Sequence, residues 1–174
     1  AEIFASPVAW WPDPVRWGNL GALFSQGDFP VARQFLNSCF YAGMVALGVT
    51  LSCSLAAYAF ACLRWRGRNL LFALTVAALL MPQVVTFLPV FMGWSRLGLS
   101  DSYWPLILPA FLGDAFYIFM LRQFFLGVPR ELMDAARLDG ASEFRIWWQI
   151  VLPQMRVPLL IVALFAVVYT WQEF

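Results

Sequence analysis

The sequence predicts an all-α polytopic membrane protein, and three observations support this fold class. Of its 174 residues, 62% are hydrophobic and only 12% are charged, whereas about 25% of a typical soluble domain is charged. Uncharged stretches of thirty and twenty-seven residues lie between Arg33 and Arg64 and between Arg68 and Arg96, and a spanning helix needs about 20. Both stretches lack the polar stripe of a soluble helix, and both are too long for barrel strands of about 9 to 11 residues.

The uncharged stretches place four predicted spans. The first two cover about 35–63 and 69–94; the third covers about 103–124, and Asp114 is the only charge between Ser102 and Leu121. The fourth covers about 155–174, where the uncharged run of sixteen residues would rise only about 24 Å, less than the roughly 30 Å hydrocarbon core. Because the chain lacks an initiator Met and ends without a turn signal, we expect it to be an internal piece of a longer protein, cut within this span.

The arginines predict the orientation of the spans. Eight of them flank one side of the predicted membrane: Arg64, Arg66, Arg68, Arg122, Arg130, Arg137, Arg145 and Arg156. Only Arg16, Arg33 and Arg96 lie on the other. Since cytoplasmic loops carry the excess of basic residues, we place the 63–69 link and the 122–156 segment in the cytoplasm. Residues 1–34, as an extracytoplasmic segment, and the 95–102 loop then lie outside.

Prolines modify this simple picture in two places. The segment 1–34 is rich in proline, so that a short helix over about 16–25 is the most that we expect there. Pro82 and Pro89 fall within the predicted span 69–94 and should kink or break it. Such breaks are tolerated in membranes where the freed carbonyls face protein or a water-filled path.

The composition excludes several function classes. The chain has no His, and all eleven basic residues are Arg, which excludes His-based catalysis, His metal ligands, Schiff-base lysines and a P-loop lysine. Cys39, Cys53 and Cys62 form no CxxC pair, so they read as small buried residues, and no metal or cofactor is expected. A net charge of +1 without a clustered basic face argues against nucleic-acid binding.

The cytoplasmic segment 127–153 carries the clearest local signals. Pro129 suits a first helical position, Glu131 lies in the first turn and Gly140 is placed to end the helix, which predicts a helix over 129–139. Ser142 can then cap a second helix, which Pro153 interrupts. The sequence therefore predicts a helix-turn-helix elbow between the third and fourth spans.

The first elbow helix is amphipathic. At about 16 Å it is too short to cross a bilayer. Its polar residues fall at i, i+3 and i+4 spacings: Arg130, Glu131, Asp134 and Arg137. Its small apolar surface comprises Leu132, Ala135, Ala136 and Leu138. From these residues alone, an interfacial linker and a docking element both remain open.

The spacing of the elbow residues resembles a known motif, the EAA loop of permease subunits in binding-protein-dependent ABC importers. The matching positions are Asp134-Ala135-Ala136, Gly140, Ile150 and Leu152-Pro153. The departure is Asp134, where the family usually has Glu; it keeps the charge and shortens the side chain by one methylene.

The rest of the chain resembles the carbohydrate-uptake branch of these permeases, the maltose-transporter type. The matching pieces are Asn37-Ser38, Ala57-Tyr58-Ala59-Phe60-Ala61, Arg64-Trp65-Arg66-Gly67-Arg68, Leu80-Met81-Pro82 with Pro89, Leu97-Gly98-Leu99 and Leu121-Arg122-Gln123-Phe124-Phe125. The resemblance implies a six-helix permease of a bacterial inner membrane, of which the first and last spans are absent here. It also implies ATP-driven import of a sugar or related solute by alternating access.

The resemblance further implies the partners and the coupling residues. The partners would be ABC ATPase subunits, a second permease subunit, an extracytoplasmic solute-binding protein and the lipid bilayer. The elbow would seat in the ATPase through Glu131, Asp134, Ala135, Ala136, Asp139, Gly140, Ile150, Leu152 and Pro153. The chain itself is not expected to be an enzyme, because it has no lysine to bind ATP phosphates.

Asp114 stands out because an ionisable group near the middle of a span is expensive and tends to face the bundle interior or a water-filled cavity. A role in the translocation path and a structural hydrogen-bonding role remain equally open. Gln83, Thr86 and Tyr117 are further candidates for a polar path. The rival functions are a membrane enzyme, which would need a cluster of catalytic groups at one depth, and a channel or scaffold, which would not need the elbow.

Overall fold

A computed structural model describes Trp17, Gly18, Gly21 and residues 31–172, with Gln83 described by its backbone only. Residues 1–30 lie outside the described part apart from those three. They include most of the predicted segment 1–34 and of its helix over 16–25. The chain divides into two compact units, Ala1–Asn37 and Ser38–Phe174. All the packing described below lies within the second unit.

Helix α1, Val31–Ala61, is the longest element. Its 31 residues rise about 46 Å, more than the roughly 30 Å hydrocarbon core. The buried positions recur every three or four residues and are mostly small: Tyr41, Ala42, Ala46, Gly48, Val49, Cys53, Ser54, Ala57, Tyr58 and Ala61. Small side chains allow other helices to approach closely, as is typical of membrane helix interfaces.

The second predicted span consists of two shorter helices, α2 (Arg68–Ala78) and α3 (Gln83–Arg96). Pro82 lies at the N-cap of α3 with extended backbone angles, and Pro89 lies inside α3. A proline has no backbone N–H, so Pro82 is tolerated at a helix start and not within a continuous helix. The break therefore falls at Pro82 as predicted, whereas Pro89 lies inside α3 and does not end it.

The sequence predicts a continuous third span, but in the structure this span is interrupted. It consists of α4 (Trp104–Ile107), a 3₁₀ turn (Leu108–Phe111) and α5 (Ala115–Phe125). Gly113 between them has a φ of 93°, in the left-handed region that only glycine visits readily. Asp114 therefore lies at a helix start and not within a continuous span. The proline and glycine residues of this segment are the sequence feature from which the interruption could have been predicted.

The elbow consists of α6 (Arg130–Leu138) and a second helical segment that begins with α7 (Glu143–Ile146). After α7 the backbone winds as a π turn over Trp147–Val151 and continues into the short α8, Leu152–Gln154. Pro153 cannot donate the hydrogen bond that an α-helix requires. The final helix, α9 (Arg156–Gln172), bends by 84° from Glu143–Gln154. The direction changes at Met155, two residues after the proline.

Among the described residues, two helical segments are long and apolar enough to cross a membrane, Val31–Ala61 and Trp104–Phe125. The bent pair Glu143–Gln154 and Arg156–Gln172 makes a third if its halves form one span. The predicted span 69–94 corresponds to two helices that are each too short alone. The all-helical membrane fold is thus confirmed for the described residues, whereas the count of four spans stays a prediction.

The core joins α1 to the elbow. Its central members on α1 are Ala57, Tyr58 and neighbouring small residues, and α5 contributes Leu121 and Phe125. Residues after α5 complete it: Val128, Met133, Ala136, Ile146, Trp147, Val151, Val162 and Ala166. The elbow is therefore packed against the spans and is not a free loop.

Candidate functional site

Helix α6 has a well-defined end at the motif glycine. Gly140 has a φ of 79°, and its N–H donates to the Arg137 carbonyl. The Ala141 N–H donates to the Ala136 carbonyl. These two bonds form a Schellman motif, which satisfies carbonyls that a helix end leaves unpaired. A Cβ added at Gly140 would meet nothing within 4 Å, so the backbone conformation alone requires the glycine.

The second elbow helix begins as the sequence predicts. The Ser142 hydroxyl accepts a hydrogen bond from the Arg145 N–H at 3.3 Å, the geometry of an N-cap. Glu143 follows in the first turn, where a negative charge is favourable. Gly140 and Ser142 together set the tight turn between α6 and α7.

The sequence predicts a single apolar surface on α6, but in the structure the apolar residues of this helix divide between a buried and an exposed face. Ala136 is buried together with Met133, which the sequence reading missed. Leu132 and Leu138 remain exposed, Leu138 to 90%. The reason is the direction of packing: the face with Met133 and Ala136 contacts the chain's own core, so the other apolar side chains point away from it.

Four side chains form a polar network between the elbow and α1. The Arg137 guanidinium donates from Nε to Glu143 Oε1 at 2.7 Å and from Nη2 to Oε2 at 3.2 Å. Its Nη1 donates to Asp134 Oδ1 at 2.7 Å. The hydroxyl of Tyr58, on α1, donates to Glu143 Oε2 at 2.6 Å. Fork-shaped arginine–carboxylate pairs are the stronger, geometrically specific class of hydrogen bond, so this network links the two elbow helices with the first span.

This network lowers the pKa of Glu143. Hydrogen bonds from Arg137 are the main reason that the pKa of Glu143 lies below its ordinary value, and the Tyr58 hydroxyl lowers that pKa further. Partial burial opposes the shift. Glu143 therefore stays ionised at neutral pH and keeps the network intact.

The remaining predicted elbow residues have different environments. Glu131, Asp134, Ala135, Asp139 and Gly140 are exposed. Ile150 and Leu152 are partly buried and pack against the core, while Pro153 is exposed. The predicted coupling residues thus divide into an exposed group at α6 and its C-terminal turn, and a group that packs against the spans.

Asp114 has a structural contact that the sequence could not assign. Its Oδ1 accepts the N–H of Phe116 at 2.8 Å and that of Tyr117 at 3.2 Å, so it caps α5. Its own N–H donates to Cys53 Sγ at 3.2 Å. Beside it, the Ser52 hydroxyl donates to the Ala110 carbonyl at 3.0 Å. The interrupted third span is therefore hydrogen-bonded to the middle of α1.

Asp114 and Tyr117 also line one cavity of about 160 Å³. Its other polar lining residues are Tyr41, Tyr169 and Thr170. An adjoining cavity of about 140 Å³ shares Tyr41 and Thr170. Thr86 lies exposed on α3 and does not line either cavity, and the side chain of Gln83 lies outside the described residues. The structure thus brings together Asp114 and Tyr117 of the four predicted path residues.

Sequence reasoning missed Tyr58 and the pairing of Arg137 with Glu143. A signal for Tyr58 existed, because a hydroxyl on the last turn of an otherwise small-residue face needs a polar partner when buried. No local pattern, however, relates residue 58 to residue 143, since the contact depends on how the elbow folds back onto α1.

Residues 48–174 match the family model described as "Binding-protein-dependent transport system inner membrane component". The chain belongs to this family. The matched range includes the part of α1 from Gly48 onward, the interrupted third span and the whole elbow. The resemblance inferred from the motif is thereby confirmed, and the chain is a multi-pass component of an inner membrane.

Curated relatives are similar over most or all of the chain's length. The sn-glycerol-3-phosphate transport system permease protein UgpE of Yersinia pestis bv. Antiqua (strain Antiqua) is 33% identical over 178 residues, which cover 100% of this chain and 63% of that protein. The arabinooligosaccharides transport system permease protein AraQ of Halalkalibacterium halodurans is 36% identical over 140 residues, or 80% of this chain and 50% of that protein. The chain spans less than two thirds of the length of these relatives.

A solved structure has the same fold. It is a chain of a bacterial ABC transporter involved in the import of the acidic polysaccharide alginate, with a TM-score of 0.80. The match covers 92% of this chain and 55% of that one at 23% sequence identity. The two chains therefore share their helical fold over the matched region.

Proposed function

We propose that the chain forms the central part of a permease subunit of an ATP-driven importer, which moves a sugar or related solute across a bacterial inner membrane by alternating access. Membership of the inner membrane component family and similarity to the named permease proteins support this function. The observation that carries it is the elbow, a polar helix with an exposed tip that is hydrogen-bonded to α1 through Glu143.

The elbow is proposed to couple a separate ATPase subunit to the spans. Glu131, Asp134, Ala135, Asp139 and Gly140 are exposed and are available to contact that subunit. A rigid connection is needed if motion of the tip is to move the spans. The buried Met133, the Arg137–Glu143 pair and Tyr58 provide it.

The buried motif residues have a different proposed role. Ala136 is buried against the core, and Ile150 and Leu152 pack beside it. They hold the elbow on the spans, while Pro153 precedes the change of direction into α9. The partners proposed for the whole protein are ABC ATPase subunits, a second permease subunit and an extracytoplasmic solute-binding protein. ATP hydrolysis is assigned to the ATPase subunits.

The cavity beside Asp114 is proposed as part of the translocation path. Its lining combines tyrosine rings with a carboxylate and a threonine hydroxyl, a mixture of apolar surface and hydrogen-bonding groups that suits a polyhydroxylated solute. No arginine lines it, so the carboxylate would oppose a phosphate ester and favours a neutral sugar. At about 160 Å³ it is smaller than typical ligand sites, and we assign the rest of the path to the second permease subunit.

The coupling role is tested by co-purification of the full-length subunit with its ATPase. Asp139→Arg and Ala135→Trp alter the exposed elbow, and Asp101→Arg is the matched control because Asp101 is exposed in the loop predicted outside the membrane. We expect the ATPase to co-purify with the wild type and with Asp101→Arg, and to be lost from the two elbow variants. Absence of an ATPase from the wild type, or equal recovery from every variant, would contradict the proposal.

The path role is tested with variants that distinguish the negative charge of Asp114 from the hydrogen bonds by which its side chain caps α5. Asp114→Asn retains a side-chain oxygen for the Phe116 and Tyr117 N–H groups, whereas Asp114→Leu removes it, at a cost of about 0.5–2 kcal/mol. We expect both variants to reduce solute uptake in proteoliposomes, and only Asp114→Leu to lower the melting temperature. Wild-type uptake by Asp114→Asn would assign the carboxylate to structure alone.

A further inference from the structure

An arginine-lined cavity lies where α1 meets α2. It has a volume of about 420 Å³, within the usual range of 300 to 1,000 Å³ for ligand sites. The link between the two helices contributes Arg64, Trp65 and Gly67, the start of α2 contributes Arg68 and Asn69, and the start of α6 contributes Arg130. An adjoining cavity that Arg137 and Glu143 line shares Arg64, Trp65, Arg68 and Arg130 with it, whereas the cavity beside Asp114 shares none of its lining residues.

The side chains that line this cavity carry an excess of positive charge. Three arginines and no carboxylate line it. Within residues 31–172, Arg64 and Arg130 form no ion pair, and Arg68 donates to the Leu63 carbonyl at 3.0 Å. The two acids that line the adjoining cavity with these arginines, Asp134 and Glu143, are already paired with Arg137. An anion is therefore the complementary ligand.

The backbone adds to this preference. Helix α2 begins at Arg68, and no side chain caps its N-terminus. Gly67, at the N-cap, has a φ of 87° and lines the cavity. Uncapped N–H groups and the positive end of the helix dipole favour phosphate-like ligands, here beside three guanidinium groups that can bind phosphate oxygens in pairs.

An apolar track leads away from the cavity along α2. Leu70 lines the cavity and is 66% exposed, and Leu74, one turn further on, is also exposed. Residues four apart lie on the same helix face. Trp65 also lines the cavity, and its Nε1 donates to the Ala59 carbonyl; tryptophan is enriched at the membrane interface. A headgroup in the cavity would therefore place its acyl chains beside these leucines.

We propose that this cavity binds the phosphate of an anionic phospholipid from the cytoplasmic leaflet. The arginines hold the phosphate oxygens, and the exposed leucines of α2 contact the acyl chains. Because Arg130 is the first residue of α6, the bound lipid would join the α1–α2 link to the start of the elbow. The inference depends on the predicted orientation and is independent of which solute is transported.

The test is lipid binding to the full-length subunit in its assembled transporter, measured by native mass spectrometry after delipidation. Dioleoyl-phosphatidylglycerol and dioleoyl-phosphatidylcholine are titrated separately. We expect retention of the anionic lipid, weakened on the order of tenfold by Arg64→Gln and again by Arg130→Gln, because each variant removes a charge-assisted hydrogen bond to the phosphate. Arg66→Gln is the matched control, since Arg66 belongs to the same link but does not line the cavity.

Four results would overturn the proposal. They are equal retention of the two lipids, equal loss in Arg66→Gln, complete displacement by millimolar inorganic phosphate, and binding that occurs only after the ATPase subunits are removed. Displacement by phosphate would make a free anion the ligand, and binding only after removal would make the cavity part of the ATPase contact. Arg64→Gln lies outside the elbow, so its effect separates lipid binding from failure of the coupling proposal.

Discussion

The hydroxyl of Tyr58 on α1 lies 2.6 Å from Glu143 Oε2 at the start of α7, across 85 positions of sequence. Tyr58 is only 2% exposed, so the contact is buried at one end and reaches the polar elbow at the other. Because Arg137 holds the same carboxylate, two directional contacts link α6 to α1. This pair is the structural basis of the coupling proposed above.

Removing the Tyr58 hydroxyl tests this connection. We expect Tyr58→Phe to destabilise the assembled protein by about 1–2 kcal/mol, because hydrogen bonds to charged groups are worth more than neutral ones. We also expect a lower ratio of solute transported to ATP hydrolysed. Both are measured on proteoliposomes, together with thermal unfolding of the solubilised transporter.

The double-mutant cycle supplies the control for that variant. The loss of unfolding free energy in the double variant Tyr58→Phe/Glu143→Gln should be smaller than the sum of the losses in the two single variants, because both substitutions remove the same contact. Tyr103→Phe, at an exposed tyrosine before α4, should behave as wild type. Additive effects of Tyr58→Phe and Glu143→Gln would show that the two side chains do not interact.

The depressed pKa of Glu143 predicts an acid-dependent loss of stability. A carboxyl whose folded-state pKa lies below its ordinary value of 4.5 contributes stability at neutral pH, because the unfolded chain binds the proton more readily. That contribution starts to fall near pH 4.5 and is lost as the pH drops through the folded-state pKa. The melting temperature of wild type should thus fall more steeply below pH 5 than that of Glu143→Gln; parallel curves would refute this assignment.

Substitutions at Gly140 test whether its conformation matters to the elbow. A Cβ has space there, but the φ of 79° costs an ordinary residue roughly 1–2 kcal/mol. We expect Gly140→Val to uncouple ATPase activity from uptake while the subunit still inserts. Gly140→Asn, which tolerates the left-handed region, should retain most coupling. Equal activity of both variants and wild type would remove Gly140 from the coupling mechanism.

Gly48 lies at a tight contact between α1 and the interrupted third span. A Cβ at this position would lie 2.7 Å from the Phe111 ring, so Gly48→Ala forces the ring or the helix to move, at a cost of typically 1–3 kcal/mol. Gly43→Ala is the control on the same helix, because nothing lies within 4 Å of its added Cβ. We expect a lower melting temperature for Gly48→Ala only. A similar fall for both substitutions would contradict this contact, because helix propensity favours alanine over glycine at either position.

Much of the local structure was predictable because short-range rules govern it. Pro82 lacks an N–H, Gly140 can adopt a positive φ and Ser142 can cap a helix, so each boundary follows from a residue and its neighbours in sequence. The break at Gly113 followed the same rules and was missed because the apolar run around it suggested a continuous span. The spacing of the EAA-like positions was likewise sufficient to identify the family.

By itself, the sequence determined that the chain is helical and lies in a membrane, since long uncharged runs leave no other way to satisfy the backbone in lipid. It also determined the start and end of α6. Only the tertiary structure decided that Met133 and Ala136 face the core, that Asp114 caps α5 beside Cys53, and that Tyr58 reaches Glu143. The physical reason is range: helix ends depend on hydrogen bonds within a few residues, whereas these contacts depend on how the elbow and the interrupted span fold back against α1.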